Sequence, residues 1–456
     1  MNLFFRSSGT LAIILTLIGF APAQTRSVHV SSERSLRSCS PAPCVLSPTQ
    51  ASQGPNQNWD SPIAANPTNS ASLILGSNDY NCGARGVESV GFYTSQDGGS
   101  SWTELCMSNV FYQGQFYAPV TDPALGYDHN GVAYIAGNYG PFEAFEKSSD
   151  GVNWTSAAPA VVQRGYVPQD CQLAVDQSPS SPHLNAVYIS CAVGTFRPPF
   201  VQQLAVAHSY DGGATWQQVA VTPPTNSAEN SNTSITIGRD GTVYVTWMYC
   251  IGGQSLCDNN TKGYVVFSKS EDGGNTWSKP GLIMPVGLVY PLPNTENTFI
   301  PDTPAIAVDN SSGSYAGSLY VVIYNWTGTF MQVQVVRSTD GGATWSKPVP
   351  VAPGETHDQF LPWISVSPNG LVGVSWLDRR NDPNNIDYQA FGAISGDGGL
   401  TFRPNAQLTR EFSDPSRGVG DYAGNTWDGS NYFLSAWMSP NTGITEQDFV
   451  GGIRLK

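Results

Sequence analysis

Short runs in which apolar and polar residues alternate recur along the chain. Val333 and Val335 lead up to Ser338, and Val265 and Phe267 lead up to Ser270. Alternation of this period predicts β-strands, and each of these runs is followed by an Asp-Gly-Gly sequence. Because glycine adopts positive φ at little cost, such a sequence favours a tight turn between two antiparallel strands. The pattern therefore predicts a chain built from β-hairpins.

The turn sequence SxDGGxTW, or a close variant of it, occurs six times, at 95–102, 148–154, 209–216, 270–277, 338–345 and 395–402. Successive copies start 53, 61, 61, 68 and 57 residues apart, which is the mark of a repeat architecture. A Trp or Phe ends each copy, and we expect it to fold back into the core. The copy at 148–154 lacks one residue, so its loop is predicted to be tighter or slightly misfolded relative to the others.

A second pair of strand-like runs lies between successive turns, so one repeat is predicted to form a four-stranded antiparallel sheet. This inner pair occurs seven times, near Pro62, Pro123, Gln172, Ser234, Pro304, Pro362 and Tyr422. Radial repetition of such sheets protects their edges in a β-propeller. We predict an all-β fold, a single propeller of seven blades, with six blades as the alternative. The last repeat ends before a fourth strand, and an N-terminal strand such as Val28–Ser32 is predicted to close the ring.

The N-terminus has the features of a secretory signal. Arg6 precedes the apolar run Leu11–Phe20, and Ala21-Pro22-Ala23 matches an A-x-A cleavage site. We expect cleavage near Ala23 and a secreted, extracytoplasmic protein without membrane insertion, because no other stretch has the length of a membrane span. Residues 1–23 form the predicted signal, 24–55 an arm that holds the candidate closing strand, and 56–456 the propeller.

Eight cysteines follow the predicted signal, which agrees with an oxidising compartment. Two interpretations are open, namely scattered free thiols and pairing of neighbours along the chain. The second predicts the disulfides Cys39–Cys44, Cys82–Cys106, Cys171–Cys191 and Cys250–Cys257.

The charge of the chain limits its partners. The net charge is −14, and only 12% of the residues are charged. Nucleic acids and anionic lipids require clustered Lys and Arg, so this composition argues against both classes of partner.

The repeated SxDGGxTW turns resemble the Asp-boxes, or BNR repeats, of the sialidase-like β-propellers, and the resemblance covers residues 56–456. In that superfamily the boxes lie between the third and fourth strands of a blade, on the face away from the active site. The resemblance therefore implies a structural role for their aspartates, which here are Asp97, Asp150, Asp211, Asp272, Asp340 and Asp397. It also implies a carbohydrate or glycoconjugate partner and possible glycoside hydrolase activity.

Sialidases of this fold use three arginines to bind a substrate carboxylate, a Tyr–Glu pair as nucleophile, and an Asp as acid and base. The first arginine belongs to an FRIP-like segment in the first blade. Here that blade reads NWDSPIAANP, without arginine, and FRPP occurs at 196–199 in the third repeat. The arginines on loops that lead towards the expected catalytic face are Arg164, Arg379, Arg380 and Arg417.

Acidic residues recur where the chain enters the innermost strand of each repeat, on the face opposite the turns. They are Asp60, Asp122, Asp170, Asp302, Asp358 and Asp421, with Asn232 in the fourth repeat and Asp358 about three positions early. Three interpretations are open. Each Asp caps a local turn, a pair of carboxylates hydrolyses a glycosidic bond, or the ring holds a cation such as calcium.

The segment at 376–389 is the most polar stretch between a second and a third strand. Trp376 beside Asp378 and Arg379 is a candidate sugar platform, and the alternative is a solvated loop held by Asp–Arg pairs. Tyr422 beside Asp421, and Tyr290 near Glu296, are candidate nucleophiles. The histidines show no metal-ligand spacing, so no metal ligands and no cofactor are predicted.

Two functions remain open from the sequence. The first is an exported glycoside hydrolase, with Asp302, Asp378, Asp421 and Tyr422 as catalytic candidates. Its candidate substrate-binding residues are Arg164, Arg379, Arg417, Trp376 and Asp358. The second is a non-catalytic propeller that binds a glycan, a peptide or an envelope component.

Overall fold

The computed structural model describes residues 39–195, 197–198, 200–251, 262–403, 405–429, 431–439 and 445–456. For Gln24–Val30, Arg85 and Lys262 it describes the backbone alone. The predicted signal at 1–23 lies outside these residues.

Two strands precede the first blade, β1 (Gln24–Val30) and β2 (Cys44–Gln50). Blade 1 consists of β3 (Asn58–Trp59) and β4 (Ile63–Ala65), which both pair with β5 (Leu73–Asp79), followed by β6 (Val90–Ser95) and β7 (Ser101–Cys106). A short hairpin leads to the next blade and consists of β8 (Val110–Tyr112) and β9 (Gln115–Tyr117).

The following blades repeat one plan, in which four consecutive strands pair in sequence order. Blade 2 is β10 (Thr121–Tyr127), β11 (Ala133–Asn138), β12 (Phe142–Ser148) and β13 (Ala158–Val162). Blade 3 is β14 (Val167–Val175), β15 (Val187–Gly194), β16 (Gln202–Ser209) and β17 (Gln217–Ala220). Blade 4 is β18 (Ala228–Ile237), β19 (Val243–Ile251), β20 (Lys262–Ser270) and β21 (Gly281–Val286).

Blade 5 is β22 (Ala305–Val308), β23 (Leu319–Trp326), β24 (Met331–Ser338) and β25 (Val349–Pro350). Blade 6 is β26 (Gln359–Val366), β27 (Val372–Asp378), β28 (Gln389–Ser395) and β29 (Asn405–Gln407). Blade 7 takes β30 (Asn425–Asp428), β31 (Tyr432–Ser439) and β32 (Gln447–Arg454) from the C-terminus. The predicted all-β propeller of seven blades is confirmed, and the alternative of six is wrong.

Helices are short in the described part of the chain. Two single-turn 3₁₀ helices occur there, at Ala84–Gly86 and Pro415–Arg417. Across the described ranges, no helix has the length and apolar character needed to span a membrane.

The ring closes by pairing of N- and C-terminal segments, as predicted, but through a different strand. β2 is the fourth strand of blade 7 and pairs antiparallel with β32, with Cys44 opposite Arg454 and Gln50 opposite Phe449. The predicted closing segment Val28–Ser32 belongs in its described part to β1, which adds a fifth strand to blade 1 by pairing with β7. β2 directly precedes blade 1 in the sequence but pairs within blade 7, so it connects the first and last blades of the ring.

All six SxDGG turns connect the third strand of a blade to the fourth, so they lie on one face of the ring, which we call the turn face. The third strand ends on the Ser of the turn in each case. In the fifth copy the Ser338 hydroxyl accepts a hydrogen bond from Gly342 N at 2.9 Å and donates one to Asp340 at 2.7 Å. The Asp340 carboxylate also accepts bonds from the Thr344 amide and hydroxyl, which closes the turn.

The second copy is tighter, as the missing residue predicts. Its Ser148 hydroxyl accepts from Gly151, three residues on, whereas the other Ser hydroxyls accept from a glycine four residues on. The six copies differ in how deeply the aromatic side chain at the end of the turn is buried. Trp102, Trp154 and Phe402 are buried, while Trp216, Trp277 and Trp345 are only half-buried. The expectation that every one of them is largely buried is therefore correct for three copies.

Three predicted disulfides are present, namely Cys39–Cys44, Cys82–Cys106 and Cys171–Cys191. Cys250 is also disulfide-bonded, and its predicted partner Cys257 lies outside the described residues. Cys171 and Cys191 lie on the adjacent strands β14 and β15, and their Cα atoms are 4.3 Å apart. Disulfides of this number agree with an oxidising compartment.

Candidate functional site

The face opposite the turns, which we call the funnel face, is where the chain enters the innermost strand of each blade. Several of these strands contain a bulge, for example between Thr121 and Ala124 in β10. Residues with positive φ lie at this level of the strand, namely Asp60 (59°), Asp122 (61°), Asp170 (50°), Asn232 (52°) and Leu361 (47°). Asp and Asn adopt this conformation more readily than most residues, which gives a backbone reason for acids recurring here.

The structure corrects the place of Asp358 in this series. Leu361, with its positive φ, occupies the corresponding position of blade 6, and Asp358 lies before the strand begins. Blade 6 therefore contributes an apolar residue at the position where the sequence analysis placed Asp358.

Four acids from consecutive blades form what we call the acid arc, which consists of Asp421 (blade 7), Asp60 (blade 1), Asp122 (blade 2) and Asp170 (blade 3). The Asp421 amide donates a hydrogen bond to the Asp60 carboxylate. Asn78 donates to the other Asp60 oxygen at 2.6 Å and accepts from the Asp122 amide at 2.8 Å. These bonds therefore join neighbouring blades, whereas the local-cap interpretation, one of the three that the sequence leaves open, expects each Asp to bond within its own turn.

The arc carboxyls hold their protons more strongly than free aspartic acid. Burial, followed by the charge of Asp170, raises the pKa of Asp122 to about 8. Its recessed position among neighbouring groups and then the charge of Asp170 raise the pKa of Asp421 to about 7. Asp421 nevertheless remains exposed to solvent on the funnel face. Burial and then the charge of Asp421 raise the pKa of Asp60 well above its ordinary range. Proximity of like charges and partial removal from water both favour the neutral acid.

Asp302 is the acid of blade 5, and it lies apart from the arc. It is 3% exposed, and one of its carboxylate oxygens accepts from the Tyr324 amide at 3.3 Å. Burial raises its pKa well above the ordinary value. A side chain this enclosed cannot contact a ligand in the funnel, so its predicted catalytic position is corrected.

A cleft on the funnel face has a volume of about 980 Å³ and is bounded by loops of blades 5, 6, 7 and 1. Trp59 and Phe299 supply apolar surface, and Glu296, Asp414 and Asp421 supply carboxylates. Gly418, at a φ of 113°, lies so close to Trp59 that a Cβ atom there would be 2.5 Å from the indole nitrogen. The loop can approach Trp59 this closely because glycine has no side chain.

The polar segment at 376–389 has its key side chains inside the protein. Trp376 is 1% exposed and donates its indole N–H to Asp378 at 2.6 Å. Asp378 is buried too, and it forms an ion pair with Arg380, which packs 4.2 Å from the centre of the Phe391 ring. The prediction that Trp376 and Asp378 project over the funnel is wrong, because both side chains are buried inside the protein at blade 6.

Arg379 and Asp358 form a buried ion pair rather than a substrate-binding pair. Both side chains are fully buried and the two groups are 3.2 Å apart. Asp358 accepts a further bond from the Met331 amide of blade 5, and Arg379 donates to the Pro293 carbonyl. The pair therefore connects blade 6 to blade 5 and to the loop before it.

The remaining candidate site residues lie in different parts of the protein. Arg417 lines the cleft at 3.9 Å from Asp414, whereas Arg164 lines a separate pocket with Tyr112 and Tyr117. The arginines Arg164, Arg379 and Arg417 therefore do not line a common pocket. Tyr422 is 6% exposed and donates its hydroxyl to the Pro123 carbonyl at 2.7 Å.

Burial, followed by the charge of Asp60, raises the pKa of Tyr422 well above its ordinary value. The Tyr422 phenol is therefore neutral, and its hydroxyl already donates to the Pro123 carbonyl. The prediction that Tyr422 is an accessible nucleophile is corrected. Tyr290 is exposed and packs edge-on against Phe299, which connects it to the cleft wall.

Sequence reasoning missed several residues of the site, and each left only a weak signal. Trp59 directly precedes Asp60, so the aromatic beside an arc acid is visible in the sequence. Asn78 lies one residue before the end of β5, and nothing in its local sequence shows that it bridges Asp60 and Asp122. Glu143 is fully buried in β12 with neither carboxylate oxygen hydrogen-bonded, and burial and then the charge of Asp122 raise its pKa well above the ordinary value.

The described residues include one compact group of potential metal ligands, Asp79, Cys82 and Glu104. The Cys82 sulfur is bonded to Cys106, so it is not available as a thiolate. The arc acids are not among the described groups in which three ligand atoms lie within 4.8 Å of one another. Binding of a cation by the arc, one of the three interpretations above, stays a prediction.

Comparison with known proteins places the fold and leaves the function open. No protein-family profile matches the sequence, and no curated protein matches it significantly. A protein of unknown function from Dyadobacter fermentans superimposes with a TM-score of 0.52 at 14% identity, over 91% of this chain and all of that one. An ulvan lyase superimposes with a TM-score of 0.51 at 14% identity, over 88% of this chain and 95% of that one.

A Hadza microbial sialidase has a TM-score of 0.49 at 13% identity, over 94% of this chain and 99% of that one. At these identities the likeness concerns the fold alone. The likeness to the first two structures agrees with the propeller architecture described above.

Proposed function

We propose that the protein is a secreted glycoside hydrolase that cleaves a glycan in the funnel cleft, with Asp421 as the proton donor. The observation that carries the proposal is the position of Asp421. Of the four side chains that the sequence predicts to be catalytic, it is the one that lines the cleft.

The size and lining of the cleft suit a short oligosaccharide. A volume of about 980 Å³ is at the upper end of small-molecule sites. Trp59 and Phe299 offer apolar surface against which the C–H faces of a pyranose can pack, and Asn294 and Asn297 offer hydrogen bonds to hydroxyls.

Asp421 has the acidity that a general acid needs. With a pKa of about 7, it retains a proton on a substantial fraction of molecules at neutral pH. It would donate that proton to the glycosidic oxygen as the bond to the anomeric carbon breaks. The second carboxylate that hydrolysis requires is assigned to Glu296, because Asp414 already accepts from the Ser416 amide and caps a 3₁₀ helix.

The arginines argue for a glycan without a carboxylate at the point of cleavage. Arg417 is the candidate substrate-binding arginine that lines the cleft, while Arg379 is buried and Arg164 lines another pocket. We therefore propose a substrate other than a sialoside. The disulfides support secretion, because such bonds persist in oxidising compartments.

Replacement of Asp421 by Asn tests this assignment. The amide side chain has nearly the same size, and the bond from the residue 421 backbone to Asp60 is retained. Because Asn cannot donate the proton, we expect kcat/KM on aryl glycosides to fall by about 10²–10⁴-fold. Asp240→Asn, at an exposed turn on the turn face, is the matched control and should leave kcat/KM unchanged. Full activity of Asp421→Asn across a panel of neutral glycosides would contradict the assignment.

A non-catalytic binding function is the second candidate. It is favoured by the fact that Asp302, Asp378 and Tyr422 are all removed from the cleft by burial. The expected result for a binding protein is oligosaccharide binding that Trp59→Ala abolishes, without release of aglycone from any aryl glycoside. Isothermal titration calorimetry with a series of neutral oligosaccharides separates the two functions.

A further inference from the structure

The segment that carries Asp421 lies beside a segment of blade 1, and the two come from opposite ends of the chain. Residues 417–424 lead into blade 7, and residues 57–61 include the first strand of blade 1. Both segments contribute residues to the lining of the cleft. The position of Asp421 therefore depends on contacts between the first and last blades of the ring.

Backbone and side-chain hydrogen bonds join the two segments on either side of Asp421. The Gln57 side chain donates to the Arg417 carbonyl at 3.2 Å. The Ser61 amide donates to the Tyr422 carbonyl at 3.1 Å, and the Gly424 amide donates to the Ser61 carbonyl at 2.9 Å. The pairing at Ser61 is that of a parallel β-bridge.

Asp60 supports Asp421 between those bonds. Its side chain is fully buried, and one carboxylate oxygen accepts from the Asp421 amide. The other oxygen accepts from the Asn78 side chain at 2.6 Å. Asn78 is held in turn, because its side-chain oxygen accepts from the Asp122 amide at 2.8 Å. Two successive side chains therefore connect the Asp421 backbone to blade 2.

Gly420 allows the Asp421 segment to lie directly against Asp60. It has a φ of 68°, and a Cβ atom there would be 2.6 Å from the Asp60 carboxylate and 2.7 Å from the Asp60 amide nitrogen. Cβ atoms essentially never approach other heavy atoms so closely, so a side chain at this position would displace the segment.

We propose that Asp60 is a positioning residue for the proton donor, and that it holds the Asp421 backbone so that the Asp421 carboxyl lines the cleft. The inference rests on the hydrolase function proposed above and adds Asn78 and Gly420 to the residues on which that function depends. Asp60 is fully buried, so it acts through Asp421 and not on the substrate. Displacement of a reacting group by about 1 Å can lower a rate by about 10²-fold, so an indirect contact of this kind can have a large effect.

The alternative is that Asp60 only stabilises the closed ring. Substitutions would then lower the free energy of unfolding and leave the kinetics of the folded protein unchanged. The two roles are separated by measuring kcat, KM and stability on the same variants.

Two glycines provide a matched pair of variants. Gly429 has a φ of 61°, close to that of Gly420, but a Cβ atom there would meet nothing within 4 Å. Alanine therefore strains the backbone similarly at both positions, and only Gly420→Ala disturbs the contact with Asp60. We expect Gly420→Ala to lower kcat on aryl glycosides by about 10²-fold with a smaller change in KM, because a proton donor acts in the transition state. Gly429→Ala should leave kcat unchanged.

An exchange of the Asp60 and Asn78 side chains tests the hydrogen bonds themselves. In Asp60→Asn, two N–H donors face each other whichever way the two amides are turned. Asp60→Asn combined with Asn78→Asp restores a donor and an acceptor to each bond at the same net charge, and Asn tolerates the φ of 59° at position 60.

We expect Asp60→Asn to lower kcat by about tenfold or more and the double variant to recover most of it. Hydrogen exchange at the Asp421 amide, which does not depend on activity, should be faster in Asp60→Asn and return towards the wild-type rate in the double variant.

The outcomes separate this inference from the function on which it rests. Wild-type kcat in folded Asp60→Asn, while Asp421→Asn is inactive, would overturn the inference and leave the hydrolase. A loss in Asp60→Asn that the double variant does not recover would also overturn it, because Asp60 would then act other than through these bonds. Full activity of Asp421→Asn would overturn the proposed function, and this inference with it. The exchanged pair keeps every bond, so it tests the inference even if Gly420→Ala does not fold.

Discussion

The two faces of the propeller use the same residue type in opposite ways. On the turn face, Asp340 is exposed, and hydrogen bonds from the Thr344 hydroxyl and amide lower its pKa to about 2. On the funnel face, burial and the charge of Asp170 raise the pKa of Asp122 to about 8. The difference arises from the surroundings, because donors that are already aligned favour the charged carboxylate and crowded acids favour the neutral one.

The origin of the hydrogen bonds separates the faces further. Asp340 takes its bonds from residues of its own turn, so it stabilises local structure. Asp60 takes its bonds from Asn78 and from Asp421 of another blade, so it stabilises contacts between blades. A local turn can be repeated in every blade, whereas an arc across four blades breaks the symmetry of the ring and leaves one sector different from the rest.

Arg379 and Arg417 repeat this contrast, and they give the largest expected effect. Arg379→Ala would leave Asp358 as an unpaired buried charge, so we expect the free energy of unfolding to fall by about 3–5 kcal/mol. Chemical denaturation at pH 7 measures this change. Arg417 is about half exposed, and Arg417→Ala should change stability by less than about 0.5 kcal/mol.

Ligand binding is the second measurement on the same pair of variants. Folded Arg379→Ala protein should bind oligosaccharides normally, while Arg417→Ala should bind them more weakly because Arg417 lines the cleft. The reverse pattern would show that the buried pair, and not the cleft, forms the site.

A smaller effect is expected at the turns, and it depends on pH. The pKa of Asp340 is lowered in the folded protein, so its contribution to stability is present at neutral pH and is lost as the pH falls from about 4 through about 2. Asp340→Asn should therefore lower the melting temperature at pH 7, and the difference should shrink as the pH falls from about 4 through about 2. Thr339→Ala, exposed in the same turn, is the control and should be neutral at both pH values. A loss of glycan affinity in folded Asp340→Asn would contradict the structural role of the turns.

The sequence predicts the repeated part of this molecule well. The Ser and Asp side chains that close an SxDGG turn bond to partners within seven residues, as Ser338 and Asp340 show. The structure of the turn can therefore be inferred from one copy, and six copies fix the architecture. The closing strand was harder to predict. Val28–Ser32 and Cys44–Gln50 are both plausible strands, and the choice depends on which free edge each one meets.

The funnel was predicted only in part, because its contacts join residues far apart in the chain. Asp421 and Asp60 are 361 positions apart, and Asn78 connects Asp60 to Asp122 of the next blade. The sequence shows that acids recur at the start of each blade, but it does not show that Leu361 interrupts the series. Nor does it show burial, so Trp376 and Asp378 were indistinguishable from exposed site residues until the packing of blade 6 was known.

The central claim is that the funnel face carries acids that keep their protons near neutral pH, next to the cleft. NMR titration of protein labelled with ¹³C at the aspartate carboxyls measures this directly. We predict resonances that titrate at pH values of about 7 and about 8, which disappear one at a time in Asp421→Asn and Asp122→Asn, together with a resonance from Asp340 that titrates at about 2. Titration of Asp421 and Asp122 at the ordinary value of about 4 would contradict the account.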